Sequence, residues 1–268
     1  MEYALLQAVF LPLLLSPLAY IIGRKIGHTA ATWFTFGLLL YCTILIITAS
    51  IDDTYEEHYP WTELFGEFGL LLDGLAAPFA IMIYVLCTIL ALYSKPYMLH
   101  KFQDFFKEQA PKTVYQSDGT TLESLSLEKF VNRQSGVYYA LFLVFSMGML
   151  GTVLATNLIE FYIFFEVMLI PAFLLVGFWG DRPRRRIALM FFFWTHVGAV
   201  ILLLGLLAIG LNVGSFDFAD INEADIPTDV VVPAAVAIII GLGVKLAAFG
   251  FHIWLPYAHG SAPTPNSA

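Results

Sequence analysis

Residues 158–179 read LIEFYIFFEVMLIPAFLLVGFW. The run is long enough to cross the hydrocarbon of a bilayer, which takes roughly 20 apolar residues as a helix. It carries two carboxyl groups, Glu160 near one end and Glu166 near the middle, with Pro171 five residues beyond Glu166. Working outward, comparable stretches lie at 4–23, 30–50, 75–95, 136–156, 187–211 and 231–256, and only Thr156-Asn157 separates the fourth from the fifth. Composition agrees: 59% of the 268 residues are hydrophobic and 13% charged, against about 25% charged in soluble domains. Mean hydropathy is +0.78. The expected fold class is therefore all-α integral membrane, with about seven transmembrane helices.

The connecting segments test these spans independently. Twelve of the 13 basic residues fall in odd-numbered loops and their flanks: Arg24 and Lys25; Lys95, Lys101, Lys107, Lys112, Lys129 and Arg133; Arg182, Arg184, Arg185 and Arg186. Even-numbered loops are acidic, with Asp52, Asp53, Glu56, Glu57, Glu63 and Glu67 in one and Asp217, Asp220, Glu223, Asp225 and Asp229 in the other. Wrong spans would scramble this alternation. Basic loops collect in the cytoplasm, so the chain is expected in the cell membrane as a multi-pass protein, N-terminus outside. Because the net charge of −8 is sorted by membrane side, it does not by itself imply a basic partner, and no nucleic-acid partner is expected. Residues 4–23 do not read as a signal peptide, because positive charge follows the apolar run instead of preceding it.

The chain divides into three N-terminal spans (1–96), an amphipathic cytoplasmic loop (97–135) and helices four to seven (136–268). In that loop Leu99, Phe102, Phe105 and Phe106 recur at helical spacing, which reads as an interfacial helix lying on the inner leaflet or as a docking surface for a neighbouring subunit. Thr120 and Glu123 fit a capping box for a second short helix. Cys42 and Cys87 lie in apolar runs at no metal-binding spacing and read as small buried hydrophobes. No metal site and no cofactor are expected: there is no cysteine cluster, phosphate loop or haem-ligand pattern.

The remaining basic residue, Lys245, lies near the middle of the seventh span. An ammonium at that depth costs roughly 3 kcal/mol or more and needs a partner, water or a role. Glu166 and His196 reach a similar depth in the fifth and sixth spans. A carboxyl, an imidazole and an amine at one level are the parts of a proton relay, whereas a structural ion pair is the plainer alternative. Glu160 and Asp73 sit near outer ends, where anchoring or capping suffices. Residues 249–265, FGFHIWLPYAHGSAPTP, hold Pro256, Gly260, Pro263 and Pro265. A break between Gly250 and His259 follows, and unwound backbone at that depth belongs where it lines a hydrated cavity. His252 and His259 fall in this segment as titratable groups along a wet path.

The segment FHIWLPYAHGSAPTPNSA (251–268), with Lys245 upstream, resembles the signature of the antiporter-like subunits of respiratory complex I, Mrp cation/proton antiporters and membrane-bound hydrogenases. EFYIFFEVMLIPAFLLVGFWG (160–180) resembles the glutamate-bearing helix of that family, particularly of the complex I M subunit, and LLLDGLAAPF (70–79) the start of its third helix. The resemblance implies the first inverted-repeat half of a fourteen-helix subunit, with a broken seventh helix. Glu166 would be the essential glutamate and Lys245 the lysine of a proton-entry half-channel. Two positions depart: Asn157 stands where many relatives have aspartate, and His196 where bacterial relatives often have glutamine. With about seven spans, the chain is expected to be a fragment, a split gene product or a truncated chain.

What the resemblance implies about function is a non-redox proton-translocating subunit of a complex-I-like NADH, F420H2 or ferredoxin:quinone oxidoreductase. Its partners would be other membrane subunits, the lipid bilayer and protons. The rival readings are a subunit of an Mrp-type Na⁺/H⁺ antiporter or a membrane-bound hydrogenase, and a structural membrane scaffold.

Overall fold

A computed structural model describes residues 3–51, 54–62, 65–109 and 120–267. In chain order the elements are α1 (Ala4–Lys25), α2 (His28–Ala49), β1 (Tyr55–Thr62), β2 (Gly66–Leu72), α3 (Ala76–Gln109), α4 (Thr120–Leu154), α5 (Leu158–Val167), α6 (Leu169–Trp179), α7 (Arg184–Val213), α8 (Phe218–Glu223), α9 (Thr228–Lys245), α10 (Trp254–Ser261) and α11 (Thr264–Ser267). Counting α5 and α6 as one interrupted span, seven helical segments among the described residues are long and apolar enough to cross a membrane. They coincide with the seven stretches read from hydropathy.

The spans pack as two groups. Helices α1 to α4 form one, with α4 against α1 and α3 against α2 and α4; α7 and α9 pair in the other, and α5 and α6 join the two. Small residues permit the closest approach: a Cβ on Gly23 of α1 would lie 2.5 Å from Gly136 Cα of α4. This suits membrane helices, which associate through close packing because lipid is as apolar as a leucine side chain. Large apolar side chains face outward, Phe249 97% exposed and Leu14 68%, as expected of a surface solvated by lipid.

The two ends differ in chemistry, and each holds together the loops that the charge pattern assigns to it. At the basic end Lys101 meets Asp181 at 2.6 Å and Arg182 meets Glu108 at 2.9 Å, tying the third loop to the fifth. His28 Nε2 lies 2.8 Å from the Lys95 carbonyl, tying the first to the third. At the acidic end Thr156 N–H donates to Gly69 O at 3.3 Å and Phe218 N–H to Thr156 O at 3.0 Å. Asn157 Nδ2 donates to Asp217 Oδ1 and to Phe65 O, each at 2.7 Å.

Two features depart from the sequence expectation. The third span does not stop near residue 95: α3 continues through Pro96 to Gln109, and α4 already begins at Thr120. Residues 98–109 therefore do not form a separate helix on the leaflet. Their aromatic face turns inward, with Met98 and Phe102 fully buried and Phe102 ring centroids 6.3 Å from Tyr138 and 5.9 Å from Trp179. The capping box of Thr120 and Glu123 rests on side chains outside the described residues. Second, the acidic second loop is an antiparallel hairpin, β1 with β2, that covers one end of the bundle.

The hairpin stabilises the bundle through Glu57. Its carboxylate accepts from the Leu5 and Leu6 amides at 3.0 and 2.9 Å and from Tyr59 Oη at 2.8 Å. The first-turn amides of α1 have no partner within the helix, and Tyr3 before them offers no side-chain cap. A carboxylate there satisfies two donors and complements the positive helix end. Burial, with the neighbouring Glu57 carboxylate second, holds the Tyr59 phenol well above its ordinary range. Replacing Glu57→Ala should cost about 1–2 kcal/mol, read as a lower unfolding midpoint in detergent and as faster amide exchange confined to the first turn of α1.

Candidate functional site

The site forms where three helices are interrupted or closely crossed. Pro171 carries no N–H, so Val167 O loses its usual partner in the fifth span. The regular ladder stops at Met168, between α5 and α6. Glu166 lies on the last turn of α5. Helix α7 brings His196, and α9 ends on Lys245 itself. Helices α7 and α9 are held at close range by glycine: a Cβ on Gly241 would stand 2.7 Å from Gly198 O, and one on Gly198 2.6 Å from Val244 Cβ.

Glu166 Oε2 lies 2.9 Å from His196 Nδ1. Its other oxygen, Oε1, is buried and has no hydrogen-bond partner among the described residues. The His196 ring stacks on Phe192, centroids 5.5 Å apart and 10° between planes. Lys245 does not form a direct ion pair with Glu166. Its Nζ donates to the carbonyl of the preceding residue, Phe165, at 2.9 Å and sits 3.8 Å above the Phe165 ring. Carbonyl and ring face together hold an ammonium without a carboxylate in contact.

The break in the seventh span begins earlier than its prolines suggest. Ala247 adopts a left-handed conformation, φ +55°. Its N–H bonds Val244 O at 3.2 Å, and Ala248 N–H bonds Gly243 O at 2.8 Å, the paired bonds of a Schellman stop. The helix thus ends directly after Lys245, ahead of the segment from Gly250 to His259. Pro256 breaks nothing. It is the third residue of α10, where a missing N–H costs no intrahelical bond. Two indoles cover carbonyls of the break: Trp254 Nε1 donates to Val244 O and Trp194 Nε1 to Phe251 O, both at 2.9 Å.

Lys245 also borders a cavity of about 400 Å³ between α3, α4, α6 and the pieces beyond the break. Its wall is mostly apolar, with His259, Asn266 and Ser267 as the other polar members. The structure therefore separates the sequence candidates into three groups. Glu166 and His196 touch, Lys245 docks beside them, and His259 shares the cavity with Lys245. His252 stands apart, exposed, its Nδ1 accepting from Gly250 N–H at 3.3 Å and its ring stacked on Phe249.

With this arrangement in view, comparison with known proteins is informative. Residues 155–268 match the family described as NADH:quinone oxidoreductase/Mrp antiporter, transmembrane. These residues, fewer than half of the chain, are similar to that family. NADH-quinone oxidoreductase subunit M of Rickettsia bellii is 31% identical over 238 residues, 87% of this chain and 41% of that protein. A chain of the membrane-bound sulfane sulfur reductase, an archaeal respiratory membrane complex, superposes with a TM-score of 0.74 at 20% identity, covering 98% of this chain and 49% of the other. A chain of respiratory complex I from Thermus thermophilus gives 0.71 at 22% identity, covering 98% and 48%. The chain spans less than half the length of the curated relatives it matches. It is similar over nearly its whole length to antiporter-like membrane subunits, and it shares the fold of about half of such a chain.

Reading the residues alone missed three contributors to this arrangement. Phe165 supplies the lysine's carbonyl and ring, and Trp254 and Trp194 cover the broken backbone. None carries a charge to draw attention. Glu160 was expected near water and is instead 1% exposed, one oxygen accepting from Gly69 N–H at 3.2 Å and the other without a partner among the described residues. The hairpin, invisible as such in the sequence, is what covers it. Asn157 caps α5, accepting from Ile159 N–H at 2.9 Å.

Ala247 pays no side-chain penalty if it becomes glycine, because only the Cβ makes its left-handed conformation unfavourable. Ala247→Gly should stabilise the protein by about 1 kcal/mol, seen as a raised unfolding midpoint in detergent. Ala247→Val should lower it.

Proposed function

We propose that the chain forms the proton-entry half of a proton-translocating subunit in a complex-I-like quinone oxidoreductase, with Glu166, His196 and Lys245 as the relay. The observation that carries this reading is the 2.9 Å contact between Glu166 Oε2 and His196 Nδ1, one residue from the carbonyl on which Lys245 rests. The basic loops would face the cytoplasm by the positive-inside rule.

In the relay a proton arriving on the imidazole passes from Nδ1–H to Glu166 Oε2, leaving neutral histidine and carboxylic acid. That transfer removes the negative charge to which the Lys245 ammonium is attracted. The ammonium then gives its proton into the adjacent cavity and remains as a neutral amine on the Phe165 carbonyl. The Glu166 proton then passes to that neutral amine through an intervening water, restoring carboxylate and ammonium together, so one proton has moved from the imidazole to the cavity. His259, on the same cavity, is the next group along the path. Oxidation and reduction belong to other subunits, so this chain supplies only the ionisable groups, their spacing and the exclusion of bulk water. An Mrp-type antiporter would use the same residues with Na⁺ as the exchanged ion, in keeping with a family that includes both kinds of complex.

Glu166→Gln keeps size and hydrogen bonding but cannot take a proton. In the assembled complex reconstituted into vesicles it should lower proton uptake per complex by roughly 100-fold, the scale of a lost acid–base group, while assembly stays normal. Undiminished uptake per complex would refute the relay. A requirement for Na⁺ in the lumen would favour the antiporter.

A further inference from the structure

At the basic end, away from the relay, α3, α4, α6 and α7 enclose a second pocket of about 430 Å³. Arg184 and Arg185 line it together with the apolar side chains of Phe173, Phe178 and Leu189. Phe178 and Leu189 are 49% and 46% exposed, so apolar side chains of the pocket are open at the surface of the bundle. The charges around it do not cancel. Glu108 is engaged by Arg182 at 2.9 Å and Asp181 by Lys101 at 2.6 Å. Arg184 has its guanidinium 4.4 Å above the Phe105 ring. Arg185 and Arg186 form no ion pair within 4 Å among the described residues. Two arginines, Arg184 and Arg185, thus line the pocket with no ion pair within 4 Å among the described residues, beside apolar side chains that are open at the bundle surface.

We propose that this pocket binds one anionic phospholipid, its phosphate against Arg184 and Arg185 and an acyl chain along Phe178 and Leu189. Guanidinium forks match phosphate oxygens, and basic pockets between membrane helices recognise anionic headgroups. A free phosphate would leave the apolar side unfilled. A phosphatidylcholine would bring its own cation toward the arginines. The occupant that complements both ends therefore carries a net negative headgroup and a hydrocarbon chain. Such a lipid would join α3 and α7 at the level where Lys101–Asp181 and Arg182–Glu108 already tie the loops.

The test uses the full chain in detergent micelles, doped in turn with phosphatidylglycerol, phosphatidylcholine of the same acyl chains, or inorganic phosphate. Retained lipid is read by native mass spectrometry and the unfolding midpoint by a thermal shift. Phosphatidylglycerol should be retained about tenfold more than phosphatidylcholine and should raise the midpoint, the scale expected when one or two arginines contact the headgroup. Arg184→Ala/Arg185→Ala should remove that preference and leave phosphatidylcholine retention unchanged. The headgroup comparison needs no variant, and Arg185→Glu, at an exposed side chain, serves if the double variant does not fold. Equal retention of the two lipids by the wild-type chain would overturn the proposal. So would a double variant, or Arg185→Glu, that keeps the preference, or inorganic phosphate displacing phosphatidylglycerol at equal concentration.

Discussion

A backbone carbonyl set free inside a bilayer has no water to turn to and must find a donor within the protein. The interruptions around Lys245 are organised by that requirement. Val244 O takes the Ala247 amide and the Trp254 indole; Phe251 O takes the Trp194 indole; Phe165 O, beside the step in the fifth span, takes the Lys245 ammonium. The break after Lys245 is covered by two indoles, so it cannot open without exposing polar groups to hydrocarbon. Satisfying the backbone and positioning the charges are one arrangement here. The lysine that would carry a proton is also a donor to the backbone of α5, at the Phe165 carbonyl.

What was legible in the sequence follows from the strength of each signal. Hydropathy over about 20 residues is a strong signal, and all seven spans were found. The sorting of charge between loops was equally clear, and the loops it grouped do meet at common ends. The hairpin was not legible. Tyr55 to Leu72 is interrupted by Pro60 and by Gly66 and Gly69, and its face toward the bundle carries Glu57, which reads as a solvated acid until its two amide partners on α1 are known. The inward aromatic face of α3 failed for a related reason. Periodicity finds an apolar stripe but does not say whether lipid or protein covers it, and Tyr138 and Trp179, which cover Phe102, lie far along the chain.

Site residues were legible by type and depth, less so by partner. Position along a span gives height in the membrane, which brought Glu166, His196 and Lys245 to one level. It gives no rotation about the helix axis, and rotation selects the contact. Glu166 turns toward α7 and meets His196, while Lys245 reaches the backbone one residue earlier. The break was misplaced because proline is a conspicuous marker and a left-handed alanine is not. Pro256 sits where a helix begins and is harmless, whereas Ala247 ends one and resembles any other alanine in the sequence.

The contact pattern also weighs on the choice between glue and relay. A pair retained only to hold helices together gains most when every polar atom is satisfied, since a buried oxygen without a partner costs roughly 1–3 kcal/mol. Glu166 has one oxygen on a histidine and the other buried without a partner among the described residues, and Lys245 rests on a carbonyl and a ring instead of closing the pair. As an adhesive this is inefficient: a direct bidentate contact would bind the helices more tightly with the same residues. As a site that must change its protonation the same features help. An imidazole exchanges protons on a carboxyl more readily than a locked ammonium does, because its own pKa lies near neutrality, and an ammonium held by neutral groups can lose its charge without abandoning its place. The anchoring is supplied by neighbours that do not titrate, the glycine crossing of α7 with α9 and the two tryptophan indoles, which leaves Glu166, His196 and Lys245 free to change charge while the fold around them stays fixed.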